Sequence, residues 1–133
     1  MNLEVESSLA AWLRAQPAFD GVPVHTGQSA DTIPNDTPVL LVGVESTELV
    51  ALSLYKVSAS IVLASPSLVA DALEAHTALA DSLRVALLAP TDIEDAFPVG
   101  LTLAGADLRT WAESQQDGRW ITTATLSLGL VAI

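Results

Sequence analysis

The chain contains no cysteine among its 133 residues. That excludes disulfide scaffolds, thiol nucleophiles and thiolate metal sites. Bases are scarce as well. Five Lys and Arg face sixteen Asp and Glu, for a net charge of −11, and Lys56 is the one lysine. A surface that grips phosphates needs many cations, so tight sequence-independent nucleic-acid binding and adhesion to anionic membranes are both disfavoured. Aromatic residues make up 5% of the chain, so the core must come from Ala, Leu, Val and Ile. Long apolar runs are missing. A run such as Val39–Val44, with Gly43 inside it, falls far short of the ~18 residues that a spanning helix needs. The start, Met1–Glu6, is acidic and has neither the basic nor the apolar region of a signal peptide. The expectation is a chain made and used in the cytoplasm, or carried out as part of something larger. Signature motifs are missing too: no H-E-x-x-H, no G-x-S-x-G, no G-x-G-x-x-G and no G-x-x-x-x-G-K occurs.

Half of the residues are hydrophobic, which places the chain among globular rather than disordered sequences. At this length roughly two-thirds of the unfolded chain's surface can be buried, and one domain spanning residues 1–133 is expected. Val5, Leu9, Trp12 and Leu13 recur at helical spacing and predict a helix over 3–16, ended by Pro17. Val22–Thr26 reads as a short strand that Pro23 confines to an edge. Gly27–Pro38 collects turn formers into a loop of unusual length, and loops of that length are either disordered or functional. Val39–Glu45 reads as a strand. In Leu52–Ala64, Val57, Ala59, Ile61 and Leu63 alternate with Lys56, Ser58 and Ser60, which predicts a half-buried strand pairing with the former through a turn at Ser46–Ala51.

Ser65-Pro66 has the composition of a helix start, and the pattern that follows predicts a long helix to about Leu88, with His76 on its apolar side. Thr91–Ala96 is an acidic connector and Val99–Leu103 a short strand. Ala106–Ser114 and Arg119–Val131 flank an Asp117-Gly118 hairpin signal. Trp120, Thr122, Ala124, Leu126, Leu128 and Leu130 share one face of the last strand. The fold class expected is α+β: a mostly antiparallel sheet with a long helix and a short N-terminal helix packed on one face.

The catalytic inventory is thin. His25 follows a candidate strand, and His76 on a helix's apolar side reads as a core residue. Asp92, Glu94 and Asp95 cluster, and Asp31 and Asp36 flank a loop, but their spacing is not that of a calcium loop. No metal, cofactor or catalytic residue is assigned. Trp12 reads as core. Trp111 and Trp120 divide between cross-strand packing and an interface role. An aliphatic chain with a long loop, hairpins and an unassigned active site suits a self-assembling or binding module better than an enzyme.

The order of parts carries a resemblance. An N-terminal helix with LAAWLRA leads through a loop to PVLLVGVES. YKVSASIVLAS then feeds ADALEAHTALADSLRVAL, and DGRWITTATLSLGL closes the chain. This arrangement resembles the tail terminator, or tail completion, proteins of long-tailed phages and related gene-transfer particles, the minor tail protein U group, over nearly the whole chain.

The resemblance implies a homohexameric ring on the last ring of the tail tube, in the neck of the virion and assembled in the host cytoplasm. Its partners would be the tail tube protein and the head-tail connector or stopper protein, with DNA passing through the lumen without being held. No reaction and no cofactor are implied. Six copies at −11 each would carry about −66, a charge that repels passing DNA. Candidate docking residues in the loops are Gln28, Asp31, Asn35, Asp36, Thr47 and Glu48. Candidate lumen acids are Glu45, Asp92, Glu94 and Asp95, and candidate interface aromatics are Trp111 and Trp120. Two other readings remain open: another neck, tail or baseplate part, and a small acidic ligand-binding or enzymatic domain using Asp92, Glu94, Asp95 or His25.

Overall fold

The structure is a computed structural model that describes residues 1–27 and 37–132. Helix α1, Asn2–Arg14, buries Val5, Leu9, Ala10, Trp12 and Leu13, the stripe that its apolar spacing demands. Pro17 opens a short 3-10 turn, Pro17–Phe19, that tucks Phe19 into the core. Strand β1, Val24–Thr26, runs parallel to β2, Val39–Ala51. Strands β2 and β3, Leu54–Pro66, form an antiparallel hairpin. Helix α2, Ala72–Leu88, and a 3-10 turn, Ile93–Ala96, lead to the second hairpin, β4, Leu101–Gln116, with β5, Arg119–Ala132. The sheet order is β1-β2-β3-β5-β4. Among the described residues only the β1–β2 pair is parallel, which makes this a mixed α/β chain on a mostly antiparallel five-stranded sheet.

Period-two alternation decides which face is buried. Val57, Ala59, Ile61 and Leu63 of β3 lie in register with Leu128, Leu126, Ala124 and Thr122 of β5, and all eight are buried. These strands share one apolar cluster with Leu9 and Leu13 of α1 and with Leu83 and Leu87 of α2. Both helices therefore cover the same face. A smaller cluster of Val39, Leu41 and Ala64 sits on the opposite face. Where β1 ends, Glu6 of α1 takes over the edge of β2: its carboxylate accepts the Val44 N–H at 3.1 Å. Arg14 at the other end of α1 donates to the Val24 carbonyl at 2.6 Å.

Four expectations need correction. The second helix is shorter than its sequence pattern: Ser65 and Pro66 finish β3, paired with Trp120 and Arg119, and the helix begins at Ala72. The Ser65 hydroxyl meets a ring nitrogen of His76 instead of capping a helix. The first hairpin turns at Leu52 and Ser53, so Thr47 and Glu48 lie inside β2, opposite Val57 and Lys56, and not in a loop. Cross-strand pairing, here including a Glu–Lys pair, outweighs the turn tendency of Ser46-Thr47. The two short strands expected after Val99 are one 16-residue strand, β4, bent by irregularities at Leu103/Gly105 and Leu108/Thr110. Finally β1 is three residues long and begins after Pro23, whose carbonyl accepts the Leu40 N–H at 2.9 Å. The Asp117-Gly118 turn is as the sequence implies, with φ of 50° and 75°, as a two-residue hairpin requires.

Candidate functional site

The residues singled out by sequence fall in four places. Gln28, Asp31, Asn35 and Asp36 lie outside the described residues. Glu45, Thr47 and Glu48 sit on the exposed half of β2. Glu45 accepts from the Ser58 hydroxyl at 3.4 Å, and Ser58 belongs to the face of β3 opposite the core. Thr47 donates to Asn2 at 2.6 Å, tying the start of α1 to this arm.

Asp92, Glu94 and Asp95 are brought together at the 3-10 turn, their carboxylates within 4.8 Å of one another and all exposed. They stand beside α1, where Asp92 and Asp95 border a hollow with Trp12 and Ala15. The candidate lumen acids thus form two separate groups, one on the helix side and Glu45 on the other. Exposed acidic groups on one turn are common without an ion, so the cluster by itself assigns no metal. His25 lies on β1 in register with Leu41, on the face away from the helices. It does not join the Asp92 group.

Trp111 is half-buried and packs on the main core. Trp120 lines a cavity of about 200 Å³ with Leu73, His76, Thr77 and Glu113. Here the structure adds a group that the sequence did not disclose. The buried His76 ring is held at both nitrogens, Nδ1 by the Ser65 hydroxyl at 2.7 Å and Nε2 by the Thr122 hydroxyl at 2.8 Å. One ring nitrogen donates and the other accepts, with the hydroxyls rotating to match. The arrangement pins α2 to β3 and β5. His76 on the buried side was legible. Its partners were not, because Ser65 has the composition of a helix cap and Thr122 lies 46 positions away.

Burial lowers the His76 pKa from its ordinary 6.5, and Glu113 opposes that in part. A base whose folded pKa lies below its unfolded value stabilises the fold above the unfolded pKa. That stability is lost as pH falls through the lowered folded value. Urea midpoints are therefore expected to fall as pH drops below 6.5, with His76→Gln flattening that dependence. A slope unchanged in His76→Gln would remove His76 as its source.

No family model matches the chain, and no curated protein matches it. Solved structures do. The chain is similar in fold to a chain in the virion of a native gene transfer agent particle, with 13% identity and a TM-score of 0.65, covering 98% of this chain and 96% of that one. A second solved structure, named only by a sequence identifier, shares 14% identity at a TM-score of 0.51, covering 98% of this chain and 93% of that one. At these identities the likeness defines the fold. No helix among the described residues is long and apolar enough to cross a membrane.

Proposed function

We propose that the chain is a structural component of a phage-like virion, and specifically a tail terminator: a hexameric ring that caps the tail tube, ends its growth and offers the head connector its docking surface. The observation that carries this is the match in fold, over nearly the full length of both chains, to a chain of a gene transfer agent virion. The order of sequence parts narrows the role from virion component to terminator. The role is structural, with no chemistry assigned to any residue.

The charge fits such a ring. At −11 per copy the surface repels a polyanion moving past it. Glu45 and the Asp92–Asp95 group lie on opposite sides of the sheet, so a single lumen takes at most one of the two. The exposed outer half of β2, with Thr47 and Glu48, is assigned to contacts with the tube or the connector, and Gln28, Asp31, Asn35 and Asp36 keep that role as sequence candidates. Trp111 faces the core, which leaves Trp120 as the better candidate for an interface. The test is addition of purified protein to tails that lack their terminator. Tube growth should stop and heads should join. Another neck or baseplate part of the same fold would do neither.

A further inference from the structure

The cavity of about 200 Å³ beside His76 has a buried floor. His76 is 5% exposed, and its partner Thr122 is fully buried. Both ring nitrogens of His76 are already bonded within the fold, so the ring leaves an occupant nothing to bond. Glu113 on β4 lies in register with Thr122, near enough for its charge to act on His76. It is the one carboxylate lining the cavity, and no Lys or Arg lines it. Among the described residues Glu113 makes no ion pair. Trp120, half-buried, supplies an aromatic wall.

These groups define an occupant. An acid without a base attracts a cation and repels an anion. An aromatic wall favours a cation that can lie against a ring. A guanidinium uses both at once, its N–H fork on the carboxylate and its flat face on the indole. The volume is below the ~300 Å³ at which pockets for whole small molecules begin, so it suits one side chain. Leu73, which also lines the cavity, is 54% exposed, and Leu68 and Val69, just ahead of α2, are exposed as well. Apolar surroundings of this kind are what a protein anchored through an Arg–Trp contact covers. The hollows beside Asp81 and Asp92 also have a tryptophan, Trp12, but that ring is buried in the core and its N–H is bound to Thr91. The hollow at Asp107 already holds a base, Lys56.

We infer that the cavity between Glu113 and Trp120 receives an arginine side chain from a basic segment of a partner protein. A second copy of this chain is the poorer source, because copies at −11 repel each other, whereas a basic partner is drawn to that charge. The inference stands on the cavity alone and holds whichever virion part the chain is.

The test titrates N-acetylarginine amide into the full chain and follows the indole N–H signals by NMR, with Trp120→Phe identifying the signal of Trp120. That signal should move saturably, with a dissociation constant in the millimolar range that is ordinary for so small a ligand. Glu113→Gln changes an exposed side chain, so the fold should persist, which circular dichroism checks. It should weaken binding about fivefold. Glu94→Gln, which removes an acid on the 3-10 turn, should leave binding as it is. N-acetylcitrulline amide, the same shape without the charge, should not bind. Acetyl-Leu-Arg-Leu-amide should bind more tightly than the single residue, and Leu73→Ser should remove that gain. A Trp120 signal that does not move saturably, equal binding by folded Glu113→Gln, or equal binding of the citrulline analogue would each overturn the inference. So would a lysine analogue that binds as tightly as arginine, which would leave a site for any cation. So would a peptide with no gain over the single residue, which would make the occupant a free guanidinium compound. Binding by protein that fails to complete tails keeps the cavity's role and removes the terminator role. Completed tails without binding do the reverse.

Discussion

Replacing Trp12 by alanine is expected to lower the unfolding free energy by about 3–5 kcal/mol, the usual cost of emptying a buried aromatic site. Trp12 is 4% exposed. Its ring packs in the core with α1's other apolar residues, and its indole N–H donates to the Thr91 carbonyl at 2.9 Å. That bond ties α1 to the segment just after α2, across 79 positions of chain. Trp12→Phe keeps most of the apolar volume and drops the donor, so its loss should be smaller, about 1–3 kcal/mol for an unpaired part-buried carbonyl. A domain of this kind holds about 5–15 kcal/mol in all, so Trp12→Ala should shift the urea midpoint by a large fraction. An alanine variant as stable as the parent would mean that α1 is not anchored through this ring.

Ile61→Ala should cost about 2–5 kcal/mol and Ile61→Val about 0.5–1.5 kcal/mol. Ile61 sits mid-strand on β3, fully buried, between Val42 of β2 and Ala124 of β5. Two of its strand neighbours are small, Ala59 beside it and Ala124 across from it, so little can move in to fill the space. Ser60, one position away, points to the other face and is only half-buried. Ser60→Ala should change stability by no more than about 0.5 kcal/mol. Urea unfolding with an unchanged slope checks both. Equal losses at positions 60 and 61 would contradict the assignment of faces.

Much of the sheet is written in its alternation. The buried faces of β3 and β5 follow directly from Val57-Ala59-Ile61-Leu63 and from Thr122 to Leu130, and Asp117-Gly118 marks its hairpin. Boundaries were harder, for physical reasons. Ser65-Pro66 carries the composition of a helix start, yet Ser65 pairs with Trp120 in the sheet and spends its hydroxyl on His76. Ser46-Thr47-Glu48 looks like a turn, yet cross-strand partners Ser58, Val57 and Lys56 hold it extended. The site residues were less legible than the fold. Sequence could gather Asp92, Glu94 and Asp95, which are adjacent. It could not tell that Glu45 lies on the far side of the sheet from them. Nor could it bring Glu113 and Trp120 to the cavity beside His76, because that takes the packing of α2 on β4 and β5.

The central claim is the capping of tail tubes by a ring of this chain. Its most direct measurement is the length distribution of tail tubes, assembled without their terminator, after purified protein is added, read by electron microscopy together with the yield of head-joined particles. The account predicts that tube lengths stop increasing, that a ring of density appears at the tube end, and that head joining is restored. Tubes that keep growing, with heads still unjoined at saturating protein, would contradict it.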